Sequence, residues 1–187
     1  MRLRYSMHLD GVCLVDESTP EDVIGEIVRV AGAAFLEEPW TAEMLGSMDW
    51  IEPGGVLERN ISEGIFRGEI EECIEKKCPC AYYVPDLKGV MVAYLSSELA
   101  DGVTWADLEG QGFARGAYPL MDEEQLAQWQ EKEESLDTSF TWDYPVRAHA
   151  DGNDFMHILS FAVAPDAQGT GVASRLMRPF LEAADEK

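Results

Sequence analysis

The residues whose types and spacing could do chemistry most directly are Gln168-Gly169-Thr170-Gly171-Val172-Ala173-Ser174. Glycines at 169 and 171 let a backbone turn tightly and let anionic oxygens approach main-chain N–H groups with no Cβ in the way. Ala173 keeps the following turn slim, and Val172, Leu176, Phe180 and Ala184 recur at helical spacing, so the turn opens a helix. The helix dipole alone contributes about 0.3–2 kcal/mol toward an anion, whereas micromolar binding needs roughly 8 kcal/mol. Several N–H bonds to charged oxygens, at about 1.5–3 kcal/mol each, make up much of the difference. Upstream, Phe155–Val163 reads as a strand that Pro165-Asp166 ends. Residues 154–185 therefore read as a strand, a turn and a helix suited to a pyrophosphate.

Two familiar phosphate turns fit poorly. The dinucleotide fingerprint wants a third glycine where Ser174 stands, and a P-loop wants a lysine that is absent. The run Gln168-Gly169-Thr170-Gly171-Val172-Ala173 instead resembles the Gln/Arg-x-x-Gly-x-Gly/Ala signature of the GNAT superfamily of N-acetyltransferases. Leu159-Ser160-Phe161-Ala162-Val163-Ala164-Pro165-Asp166 is similar to that family's fourth strand and its exit. The resemblance is close over residues 155–184 and loose over the rest. It implies acetyl-CoA as co-substrate, its pantetheine arm along Phe161, Ala162 and Val163 and its phosphates cradled by Gln168 through Ser174. It further implies strands beyond the last helix, one of which often supplies a tyrosine acid. The chain given ends at Lys187, so the expectation is a fold lacking those C-terminal strands, with Phe155–Val163 open along one side or paired with a second chain.

Amine acetylation needs a neutral nucleophile, and an amine with a pKa near 10.4 is free base only to about one part in a few thousand at pH 7. Histidine is suited to removing the proton. His157 lies on the predicted strand, where the family places a glutamate and its arylalkylamine N-acetyltransferase branch a histidine. That branch also carries extra sequence between strands three and four, as this chain does. The alternative for His157 is a histidine hydrogen-bonded within the sheet. Phe35, Glu37, Glu38 and Trp40 follow the first helix, where the family shapes its acceptor pocket; the alternative is an ordinary helix end with solvated acids.

The elements that must position these residues are legible in outline. A first strand is expected over Tyr5–Val15, then a helix capped by Thr19 with Pro20 at its first position and running to Phe35. Thr41 is a candidate cap for a short second helix through Met48, and Val56–Lys77 reads as a third. Ala81–Val84 and Gly89–Ser96 form a hairpin around Pro85-Asp86-Leu87-Lys88. Residues 98–150 break the rhythm, with one helix at Glu123–Ser135 capped by Asp122; they read as a substrate-side flap or as a surface elaboration. The expected fold is α/β: one N-acetyltransferase domain over 1–187, a mixed, mostly antiparallel sheet flanked by helices.

Composition narrows the partners. With 36 acids against 14 bases, a net charge of −22 argues against nucleic acid. It suits either a solvated acidic surface or a field that attracts a cationic amine. No apolar run approaches a membrane span, the N-terminus lacks a signal peptide's apolar core, and a cytoplasmic protein is expected. Cys13, Cys73, Cys78 and Cys80 lack zinc-site spacing, so no metal is expected and the thiols read as reduced. The sequence thus points to acetyl transfer to a primary amine of a small molecule, with a non-catalytic acyl-CoA-binding or interaction module as the alternative and a homodimer as a possible assembly.

Overall fold

The computed structural model describes residues 11–77, 80–95, 112–137 and 156–185. The elements run β1 (Cys13–Leu14), α1 (Glu21–Phe35), α2 (Pro39–Gly46), α3 (Val56–Glu75), β2 (Ala81–Tyr83), β3 (Gly89–Leu95), α4 (Glu123–Asp137), β4 (Met156–Val163) and α5 (Val172–Asp185). The strands form one sheet in the order β1-β2-β3-β4, every pair antiparallel. Among the described residues β4 pairs with β3 alone.

Alternation along β3 and β4 divides the core into two faces. Val90 and Val92 of β3, with Ser160 and Ala162 of β4, meet Ala31 of α1 and Phe66 and Ile70 of α3 around a small internal gap. On the opposite face Tyr82 meets Phe180 of α5 edge to face at 4.8 Å. There Gly89 lies so near Val172 that a Cβ would come within 2.5 Å of its Cγ1. Helices therefore cover the sheet on both sides, which is the expected α/β architecture.

Several sequence expectations change at the boundaries. Thr19 does not cap α1: its Oγ1 accepts the Asp16 amide at 3.0 Å, and Pro20 takes the N-cap position with its carbonyl accepting from Val23 and Ile24. Thr41 lies inside α2, which starts at Pro39 because the Glu38 carboxylate accepts the Thr41 amide at 2.8 Å. Asp122 caps α4 as expected, its Oδ1 accepting the Glu124 and Gln125 amides, while Gln125 reaches back to the Asp122 amide in a capping box. The thiols are not all reduced. Lys77, at φ 52°, turns the chain after α3 so that the Cα atoms of Cys73 and Cys80 come within 6.2 Å, and the two form a disulfide. Cys13 is free, and Cys78 lies outside the described residues.

The described part of the long insertion is packed against the helices. Residues 112–116 are helical and cross α3 where Gly64 and Gly68 face Gly112 and Gly116. A side chain at Gly64, Gly68 or Gly116 would collide with the backbone of the other segment, and one at Gly112 with the Glu69 side chain, so this contact is limited to glycine. Phe113, Ala117 and Trp129 then build a second core with Met44, Leu45, Met48, Ile51, Ile61 and Ile65.

Candidate active site

β4 delivers the chain to the glycine turn expected to hold phosphate, and its exit is held from both sides. The Ala164 amide donates to the Lys88 carbonyl at 2.9 Å, and Pro165–Ala167 form one 3-10 turn closed by the Ala167 amide on Ala164. Gln168 is extended, then Gly169 and Gly171 both adopt the left-handed backbone at φ 76° and 85°. Thr170 between them donates its hydroxyl to the Ala167 carbonyl at 2.6 Å, which folds the turn on itself. Val172, buried, opens α5, and Leu176 one turn later is fully buried against the sheet. This anchoring fixes the direction of the helix start.

The turn has what an anion site needs. Gln168, Gly169, Thr170, Gly171, Ala173 and Ser174 are all exposed. A Cβ at Gly169 or Gly171 would meet nothing within 4 Å, so open space lies over the turn. The first amides of α5 have no acceptor within the helix, as at any helix start, and the first helical closure in this stretch is Arg175 N–H to the Gly171 carbonyl at 3.0 Å. The donors and the space coincide.

Two ion pairs flank the turn and were not legible in the sequence. Lys88 Nζ meets Asp166 Oδ2 at 2.8 Å, and Arg175 Nη2 meets Asp86 Oδ2 at 2.7 Å. Each hydrogen bond to the cation, more than any other influence, holds its carboxyl below the ordinary Asp value. Both pairs join the β2–β3 turn to the phosphate turn, residues 78 and 89 positions apart in the chain. Arg178 is exposed on the next turn of α5.

Along β4, Val163, Ala162 and Phe161 pair with Gly89, Val90 and Met91 in regular register. Then the ladder slips: Val92 faces Ser160 but Ala93 faces Ile158, so Leu159 is an extra residue on β4. Bulges of this kind bend a strand and recur beside active sites. No sequence signal marked it, because the run is apolar on both faces. His157 follows, opposite Tyr94 in the ladder; its side chain lies outside what the structure describes, as do His8 and His149 entirely.

The residues after α1 do not converge on one pocket. Phe35 stacks on Phe66 at 4.7 Å in the main core, and Trp40 meets Phe113 of the insertion at 5.8 Å in the second. Glu38 is committed to capping α2, and Glu37 is exposed. Among the described residues no group of histidines, cysteines and acids is placed to hold a metal ion. No described helix is long and apolar enough to cross a membrane.

An antiparallel sheet whose last described strand feeds a glycine turn and an anchored helix is the arrangement of a GNAT-like fold. The chain belongs to the acetyltransferase (GNAT) family, whose sequence model matches residues 62–187, from within α3 to the end. No curated protein matches the chain.

Proposed function

We propose that this chain is an acetyl-CoA-dependent N-acetyltransferase acting on a primary amine of a small molecule. Membership of the family supports acetyl transfer in general; the geometry of the phosphate turn carries the co-substrate. Its two left-handed glycines and the open space above them are the observation on which the reading rests, together with the first amides of α5, which have no acceptor within the helix. In this reading the pyrophosphate takes the open space over Gly169 and Gly171, and Phe161, Ala162 and Val163 offer backbone to the pantetheine arm.

The co-substrate supplies the thioester. The chain's part is to hold it along β4 and to take the amine's proton, a role we assign to His157. The amine lone pair attacks the thioester carbonyl carbon, a C–N bond forms, the C–S bond breaks and CoA leaves as thiolate. The amine's proton goes to His157, directly or through water, and is then lost to solvent or to the thiolate. The acidic surface favours a cationic acceptor over an anionic one. We extend the reading to a cytoplasmic protein that binds neither nucleic acid nor membrane, with a homodimer through β4 as its possible assembly.

The test is a thiol-release assay with acetyl-CoA over a panel of aliphatic and aromatic amines, beside calorimetric titration with acetyl-CoA, CoA and ATP. Amine-dependent thiol release with CoA-selective binding supports the reading. Binding of acetyl-CoA with no release for any amine favours the acyl-CoA-binding module, and preference for ATP refutes the phosphate-turn assignment.

A further inference from the structure

A buried carboxylate sits at the interface between α3 and the sheet. Glu69 of α3 is only 5% exposed, and its neighbours along the helix, Phe66 and Ile70, pack on the sheet. Its Oε2 accepts a hydrogen bond from Ser160 Oγ at 3.2 Å, and Ser160 is itself buried. Ser160 is the last β4 residue in regular register before the extra residue Leu159. The polar link between helix and strand thus lies at the bulge.

The insertion closes over the same carboxylate. Gly112 comes so near that a Cβ there would meet Glu69 Cγ at 2.7 Å. One turn along α3, Glu72 is buried and holds Arg115 of the insertion at 3.0 Å. Burying a carboxylate is costly, and an apolar residue in such a place commonly gives the more stable protein. What the carboxylate provides, and leucine does not, is a directional acceptor for the Ser160 hydroxyl on β4.

We propose that Glu69 is a positioning residue for the transfer reaction: through Ser160 it fixes the bulge at Ile158–Leu159, and with it the course of β4 between His157 and the arm-binding residues Phe161–Val163. The inference rests on the transferase reading above. It also gives the insertion a purpose, since residues 112–116 exclude water from the acceptor that pins the strand. Misplacing a reacting group by about 1 Å is enough to cost about 100-fold in rate.

The experiment compares the full chain with Glu69→Gln, Glu69→Leu, Ser160→Ala and the Leu/Ala double variant. It measures kcat for thiol release, acetyl-CoA Kd, and hydrogen exchange of the backbone amides. Gln still accepts the Ser160 proton and should stay within about threefold of the parent, the size of a lost charge at unchanged geometry. Leu and Ala should each lose about 10–100-fold in kcat with Kd little changed, and the double variant should lose no more than either alone, because both remove one link. Exchange should rise at 156–161 and stay constant at 168–174. Full kcat in folded Glu69→Leu, multiplying losses in the double variant, a loss confined to Kd, or Gln as impaired as Leu would each overturn the proposal. If the parent chain acetylates no amine, the transferase reading fails by itself, and the exchange result alone then decides whether Glu69 holds the bulge.

Discussion

Arg175 reaches back from the first turn of the last helix to Asp86 in the β2–β3 turn, 2.7 Å between Nη2 and Oδ2. A cation one turn beyond Gly171 is therefore engaged by an acid of the β2–β3 turn. Both side chains are about half exposed, so the pair is weak and exchangeable.

Asp86→Asn should release Arg175 to the ligand and tighten acetyl-CoA binding by about 1.4–5-fold, the range of an exposed ion pair. Arg175→Ala should weaken it and make the Asp86 substitution irrelevant. Titration calorimetry on the two single variants and the double variant checks this. Equal effects of Asp86→Asn with and without Arg175 would show that only net charge matters.

Gly171→Glu should abolish acetyl-CoA binding, because it places bulk and negative charge where the phosphates sit. Gly171→Ala is the control: its Cβ meets nothing within 4 Å, so it brings only the left-handed backbone cost of about 1–2 kcal/mol. The expected order of affinity is parent, then Ala, then no binding for Glu, with thermal melts showing all three folded. A folded Glu variant of parental affinity would move the pyrophosphate elsewhere.

His157→Ala should lower kcat by about 10²–10⁴ with acetyl-CoA affinity nearly unchanged. The deficit should shrink as pH approaches the amine's own pKa, where the nucleophile loses its proton unaided. A deficit of constant size across the pH profile would assign His157 to packing in the sheet.

Replacing Cys73 and Cys80 by serine should destabilise the oxidised protein by about 2–3 kcal/mol, the entropy of closing a loop this short. A reductant should reproduce the loss in the parent and do nothing further to the variant. Denaturant melts with and without reductant, with peptide mapping of the Cys73–Cys80 link, provide the readout.

Tyr118 anchors the insertion, its hydroxyl 3.1 Å from Glu133 Oε2. Burial, then the Glu133 charge, push its pKa up from 10.0 to about 12. The protonated form is thus favoured in the folded state, and its contribution is complete below pH 10 and lost as pH rises through 12. Tyr118→Phe should flatten stability between those limits. A parental alkaline slope in the variant would place the titration on another group.

Which parts could be read beforehand follows from the range of the forces involved. The phosphate turn, the hairpin and the α4 cap are local: glycine's access to positive φ at 169 and 171, the Pro85–Lys88 turn and Asp122 with Gln125 act within a few residues. The α1 and α2 starts differ from what the sequence suggests, because Thr19 Oγ1 is taken by the Asp16 amide and the Glu38 carboxylate caps α2 ahead of Thr41.

The sequence by itself determined the order of strands and helices, the glycine turn that opens α5 and the family, because backbone preference and apolar period are written residue by residue. Only the tertiary structure decided the Cys73–Cys80 bond, the glycine-on-glycine crossing of the insertion over α3, the Arg175–Asp86 and Lys88–Asp166 pairs, the bulge at Leu159 and the Ser160–Glu69 hydrogen bond beside it. Apart from the disulfide, each joins residues far apart in sequence or depends on strand register. An apolar run such as Met156–Val163 does not encode its register, because both faces of the strand look alike until the helices and the neighbouring strand are in place.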